Sequence, residues 1–281
     1  MATLSEIYIH PVKSCRGTSL ESVSFDRWGL LGDRRWMIVD QTERFVSQRT
    51  LPRLALVVPR LTSEFLLLEA PGQPPFQLAA GEAGGEEQTV SIWDDTCLAR
   101  DQGDPAAEWL SRYLERPVRL VRMDAAFQRP VENGIDSQVS FADAFPVLIL
   151  SEASLEALNS RLASPLPMNR FRPNLVVRGS APFAEDGWRR IRIGQAVFRL
   201  IRPCIRCVTT TVDQATGETG KEPLATLATF RRAEGGVIFG QNAVHEQGGP
   251  IRVGDPVEVL EVSASPGGAQ PSPVASPARG R

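Results

Sequence analysis

Leu4-Ser5-Glu6-Ile7-Tyr8-Ile9 alternates roughly between apolar and polar side chains, and it runs straight into His10-Pro11-Val12-Lys13-Ser14-Cys15-Arg16-Gly17. The first six residues have the period of two expected of a strand with one buried face. Pro11 ends that pattern, and a basic turn closing on glycine follows. The same grammar, a short strand and then a punctuated turn, recurs along the first 120 or so residues. Arg35 to Val39, Leu54 to Val58, Phe65 to Leu68 and Thr89 to Trp93 read as further strands. The Gly- and Pro-rich stretch at 69–88 reads as a hairpin loop. Many short strands separated by turns predict a barrel or a sandwich.

Helices are few. Asp104 is placed to cap a helix with Pro105 at its first position, and Trp109, Leu110, Tyr113 and Leu114 form its apolar face. Val118 to Val121 resumes strand character after Pro117. The polar segment from Asp124 to Ser137 is the natural boundary between two domains. Beyond it, Ser151 caps a helix carrying Leu155, Leu158 and Leu162, and a short helix begins at Pro223 with Leu224, Leu227 and Phe230 inward. Strands are expected at Asn174 to Val177, Arg190 to Ile193, Val197 to Ile201, Cys207 to Val212 and Val257 to Val262. The fold class is therefore mainly β with a few helices (α+β). The domains are 1–122, 123–262 and a disordered tail at 263–281, where the composition loses all core-forming periodicity.

Composition excludes several roles. Among 281 residues, 31 basic and 33 acidic side chains leave a net charge of −2. A general nucleic-acid binder needs a cationic surplus, so that class is set aside. No stretch reaches the ~20 apolar residues of a membrane helix, and the N-terminus lacks the pattern of a secretory signal. Four cysteines are too few for a disulfide scaffold, which makes a cytoplasmic protein with reduced thiols the expectation. Lys13 and Lys221 are the two lysines and the other 29 basic residues are arginines. A lysine that survives such a bias is a candidate for a role that needs a compact ammonium.

The sharpest chemical motif is Pro203-Cys204-Ile205-Arg206-Cys207. As half of a zinc site it lacks partners, since the remaining candidates are Cys15, Cys97, His10 and His245. As a dithiol redox pair it should open a helix, whereas the Val- and Thr-rich run after Cys207 reads as a strand. Two half-buried thiols acting as small hydrophobes remain open, as does a single thiolate donated to a soft metal, which Arg206 would favour. Lys13-Ser14-Cys15-Arg16, Gly32-Asp33-Arg34-Arg35 and Asn169-Arg170-Phe171-Arg172-Pro173-Asn174 are three basic clusters at strand edges. In a chain with no positive surplus, that pattern suits a buried polyanionic ligand. His10 and His245 are read as structural.

Taken in order, HPVKSCRG, GDRRWMIVD, FVSQR, SEASLEALNSRL, NRFRPNLVV, AEDGW, PCIRCVTTTVD, GKEPLATLATFR, FGQNA and VGDPVEV resemble the MOSC-domain proteins that carry an N-terminal β-barrel domain. That family includes the mitochondrial amidoxime-reducing component and bacterial N-hydroxylated-base reductases, and the resemblance runs from about Leu4 to Val262. It implies an N-terminal β-barrel-like domain at 1–122 and a MOSC β-barrel domain at 123–262. It further implies molybdenum cofactor, a pterin bearing a dithiolene and a phosphate, with Cys207 as the protein ligand to molybdenum and Cys204 as a non-ligand neighbour. Lys13, Ser14, Arg34 and Arg172 match positions that hold phosphate and pterin, Asn174 stands beside them, and Asp213 orders the ligand loop. The implied activity is reduction of small N-hydroxylated compounds by oxygen-atom transfer at a Cys-ligated molybdenum. The tail has no cysteine for an iron–sulfur domain, so electrons are expected from a separate electron-transfer protein of ferredoxin, flavin or cytochrome type. A sulfur-carrier or cofactor-carrier role, as in the C-terminal part of molybdenum cofactor sulfurases, is the alternative.

Overall fold

The computed structural model describes residues 1–81, 84–132 and 134–263. The tail expected at 263–281 therefore lies almost wholly outside the described residues. The chain is mostly β, and one nine-stranded sheet organises it. Its path runs Thr18–Leu20, Thr3–Ile9, Leu175–Arg178, Val147–Ser151, Gly236–Gln247, Ala196–Ile205, Trp188–Ile193 and Val257–Val262, with Arg232–Ala233 pairing off the path. The opening strand Thr3–Ile9 is antiparallel to Leu175–Arg178, so the first residues of the chain are built into a sheet made chiefly by its second half.

Alternation in the strands sorts side chains between the two faces of this sheet. Ile149, Leu175 and Val177 enter one core with Leu4, Ile7 and Phe198. Their immediate neighbours Leu150 and Val176 enter another with Leu158, Phe171, Leu227 and Phe239. The helices Glu152–Asn159 and Leu224–Phe230 cover that second face. A smaller four-stranded sheet, Glu87–Ile92, Asp95–Asp101, Arg119–Arg122 and Trp36–Val39, applies the same rule. Trp36 and Ile38 pack against the helix Asp104–Leu114, while Met37 and Val39 pack on the other side with Val121 and Phe141. All four residues of Trp36–Val39 are buried, so this strand has no wet face.

Several local expectations change. Leu54 to Val58 is no strand: Pro52–Leu56 forms a 3₁₀ turn and pairing starts only at Val58. The glycine- and proline-rich stretch contains a strand after all, Phe76–Ala79, paired with Phe65–Glu69. Gly103 caps the helix Asp104–Leu114, and Asp104 is its first residue, with a carboxylate that accepts from Arg119. Ser151 does cap its helix through the Ser154 N–H, but that helix stops at Asn159, before Leu162. Most consequential, Cys207 to Val212 is not a strand. Val208–Thr211 is a 3₁₀ turn in which the Thr210 hydroxyl donates to the Cys207 carbonyl (2.9 Å) and the Thr211 hydroxyl to the Val208 carbonyl (2.8 Å). Threonines bonding back three residues compete with a strand ladder and close the backbone into a turn.

Candidate cofactor site

Where the two sheets meet, a cavity of about 360 Å³ is lined by Lys13, Ser14, Arg34, Arg172, Asn174 and Cys207. Four segments far apart in sequence thus contribute every residue the sequence singled out for cofactor and metal. Cys204 lines it too, so proximity to the cavity does not by itself separate the two thiols. Lys221 is exposed and does not reach it. His10 is buried beneath the cationic groups, and burial together with Arg172 and Arg34 holds its imidazole neutral, in keeping with a structural role.

The cations are fixed by the fold. The Lys13 ammonium, 4% exposed, donates to the Phe141 carbonyl (2.7 Å) and to Asp143 Oδ1 (2.5 Å). Burial pushes its ionisation down, and Asp143 opposes that shift. Arg34 donates through Nη1 to Asp33 (2.6 Å) and to Asn174 Oδ1 (3.1 Å). Asn174 in turn accepts the Leu148 N–H and donates to the Tyr8 carbonyl, which ties Arg34 to two strands of the large sheet. Arg172 Nη1 donates to the Cys15 carbonyl (2.6 Å). Burial and the neighbouring Arg34 push the Arg172 guanidinium down to about 10. Two neighbouring arginines and a buried lysine that converge on one cavity present charge-assisted donors to an anion, and a phosphate-bearing pterin is such an anion. The donor set therefore fits the cofactor that the sequence implies.

Ser14, Arg34 and Arg172 share a backbone feature: all three have positive φ (67°, 51° and 54°) although none is glycine. The left-handed region is costly for such residues and is held only where the surroundings impose it. Here it is adopted by three residues, far apart in sequence, that line one cavity.

Around Cys207 the fold provides a rigid loop. Burial would push its thiol up, but bonds from the Thr209 hydroxyl and backbone N–H, together with the charge of Arg49, outweigh that and hold it below its ordinary range. The expectation that Arg206 would activate Cys207 is corrected. Arg206 donates instead to Cys204 Sγ (3.1 Å) and to the Phe171 carbonyl (2.6 Å). Arg170 clamps the loop from the other side, pairing with Asp213 (2.7 Å) and donating to the Thr211 carbonyl (3.2 Å).

Sequence reasoning passed over Asp33, Arg170, Asp143 and Arg49 as site residues. Asp33 and Arg170 stand inside the basic clusters, Arg49 closes the FVSQR block without a role attached to it, and nothing local marks Asp143. Asp33 is 1% exposed. Burial would raise its carboxyl, but Arg34 and His10 overcome this and hold it well below the usual carboxylate range. A carboxylate depressed on folding stabilises the fold above its unfolded pKa, and that contribution is lost as pH falls toward the folded value. Asp33→Asn is therefore expected to cost about 3 kcal/mol at pH 7, as for one partner removed from a buried pair. The gap from wild type should narrow below about pH 4. Urea midpoints at pH 7 and pH 3 measure this, and a gap independent of pH contradicts it.

Known proteins place the chain. Residues 1–117 match the MOSC N-terminal beta barrel domain and residues 136–258 the MOSC domain. Mitochondrial amidoxime-reducing component 1 of Xenopus laevis is 35% identical over 277 residues, covering 90% of this chain and 81% of that protein. Mitochondrial amidoxime reducing component 2 of Rattus norvegicus is 36% identical over 280 residues, covering 92% and 83%. Molybdenum cofactor sulfurase of Oryza sativa subsp. japonica is 33% identical over 261 residues, covering 84% of this chain but 32% of the sulfurase. Among the described residues no helix is long and apolar enough to cross a membrane. With both domains matched in order and relatives aligned along most of their length, the chain belongs to the MOSC-domain family that contains the amidoxime-reducing components.

Proposed function

We propose that this protein is a molybdenum-cofactor-dependent reductase of small N-hydroxylated compounds, with Cys207 as the protein sulfur donated to molybdenum. The observation that supports the reading is the shared cavity, in which a depressed thiol faces a set of buried cations. When bound, the cofactor supplies a two-electron centre at which the oxygen of an N–O bond is taken up and released as water. The chain's own part is positional. Arg34 and Arg172, with Lys13, neutralise the phosphate and fix the pterin, because guanidinium forks suit planar anionic groups. Asn174 and Asp33 hold Arg34 in place from behind. Arg170 and the threonines of the 208–211 turn hold Cys207 at one position, which fixes the donor sulfur relative to the cations. Electrons come from a separate carrier protein.

The test is the purified full chain, produced in a host that makes the cofactor. About one molybdenum per chain is expected for a single site. Reduction of an amidoxime to the amidine should proceed with reduced methyl viologen. Metal without turnover would favour the cofactor-carrier reading, for which the sulfurase relative speaks. No bound metal and no released pterin would overturn both readings.

A further inference from the structure

The mouth of the Cys207 cavity differs from the rest of the surface. Seven basic side chains line the cavity against two acidic ones, Glu132 and Asp143, in a chain whose net charge is −2. The inner cations are engaged with the site. Arg49 and Arg202 are exposed at the rim. Arg49 lies 4.2 Å over the Trp93 ring and joins no ion pair among the described residues. Arg202 lies 5.1 Å over the Phe145 ring and pairs with Glu132 at 3.2 Å. Rings beneath these guanidinium groups hold them in place, so the positive field at the mouth has fixed sources.

Ile205 lines the cavity with them, and Val208, which does not line it, follows Cys207 directly in the chain. Among the described residues only eight large hydrophobic side chains are more than a third exposed, and two of these, Ile205 and Val208 at 51% each, bracket Cys207. Neither is on a floppy segment. Ile205 ends a ten-residue strand, pairs with Ile238 and rests on the Gly235–Gly236 turn, where a Cβ would come within about 3 Å of it. Val208 opens the 3₁₀ turn that the threonines lock. A rigid apolar pair beside fixed cations has the anatomy of a protein-docking patch with a charged rim.

We propose that this face docks an acidic electron-carrier protein, with the apolar surface around the carrier's redox centre seated on Ile205 and Val208 and its carboxylates meeting Arg49 and Arg202. The inference rests on the reductase reading above. The balance is simple: the carrier is oxidised by two electrons in total, each N–OH group takes up those electrons and two protons, the N–O bond breaks, and N–H and water form. Docking on the loop that bears Cys207 would bring the donor beside the sulfur proposed to hold the metal.

Ile205→Glu and Arg202→Glu test this in the cofactor-loaded full chain. Reduced methyl viologen serves as the small donor, and reduced ferredoxin and flavodoxin as two acidic protein donors. Each variant should lose about tenfold or more in turnover at limiting protein donor, because a carboxylate now opposes a carboxylate. Viologen-driven turnover and molybdenum per chain should stay as in wild type. Wild-type turnover with the protein donors should fall between about 0.05 and 0.5 M salt, as screening predicts. Unchanged turnover with both protein donors overturns the proposal, as does a rise in substrate KM alone, which would make this face a substrate entrance. It is likewise overturned if the wild type works with viologen and takes no electrons from either acidic carrier. Failure with viologen as well would instead overturn the reductase reading.

Discussion

Cys207→Ser is expected to fold normally and to lose reductase activity by at least about 100-fold. Outer groups that merely orient a metal ligand are worth about 10–100-fold, so removal of the ligand itself should exceed that range. The fold has little reason to notice the change. Cys207 is only partly buried, the Thr210 bond that locks its loop ends on its backbone carbonyl, and a serine oxygen can accept the Thr209 bonds that now reach the sulfur. The loss should therefore appear in turnover and in the metal's spectroscopic signature, with urea unfolding close to wild type. Cys204→Ser is the companion measurement. Its sulfur already accepts from Arg206 at 3.1 Å, so its removal should leave most activity in place. If the two variants exchange behaviour, the donor sulfur belongs to Cys204.

Arg172→Met should separate binding from stability. A charge-assisted bond to a phosphate is worth about 1.5–3 kcal/mol, which predicts cofactor retention about 10–100-fold weaker. The cofactor-free protein should lose far less. Arg172 gives up its bond to the Cys15 carbonyl, but its removal also takes away a guanidinium that burial and the charge of Arg34 disfavour. Stability of the cofactor-free chain should thus change by no more than about 1 kcal/mol. Equilibrium dialysis of the cofactor beside urea melts of the empty protein provides both numbers. A large drop in stability with unchanged retention would make Arg172 a structural residue. Ser14, Arg34 and Asn174 can be ranked by the same pair of measurements.

Much of this was legible in the chain because local rules and tertiary structure agreed. Leu4 to Ile9 alternates roughly in sequence, and Ile7 and Ile9 turn into one core together with Leu4, which a register shift between Leu4 and Glu6 brings to the same face. The leucines of Glu152–Asn159 and the serine before them announce a capped helix, and one forms there. The residues brought to the cavity were readable from motif order. The failures have local causes. The run after Cys207 looks like a strand because Val and Thr favour strands, but threonines can also bond back to the backbone, and here Thr210 and Thr211 do. Pro52 turns an apolar run into a 3₁₀ segment, and periodicity cannot register that. Arg49 closes the FVSQR block and Asp143 stands in a loop without a motif, and neither position announces the cavity it lines. Their role depends on which strand ends converge, which is a property of sheet order rather than of neighbouring residues.

The left-handed backbone at Ser14, Arg34 and Arg172 implies a conflict between durability and purpose. Glycine at any of the three would relax the main chain, and a search for heat-tolerant variants would collect such changes. Each would also delete a side chain that lines the pocket. Hardening this protein by relaxing its tightest bends would therefore dismantle the proposed pterin site, so stabilising substitutions belong in the helix Asp104–Leu114, which contributes no residue to the cavity.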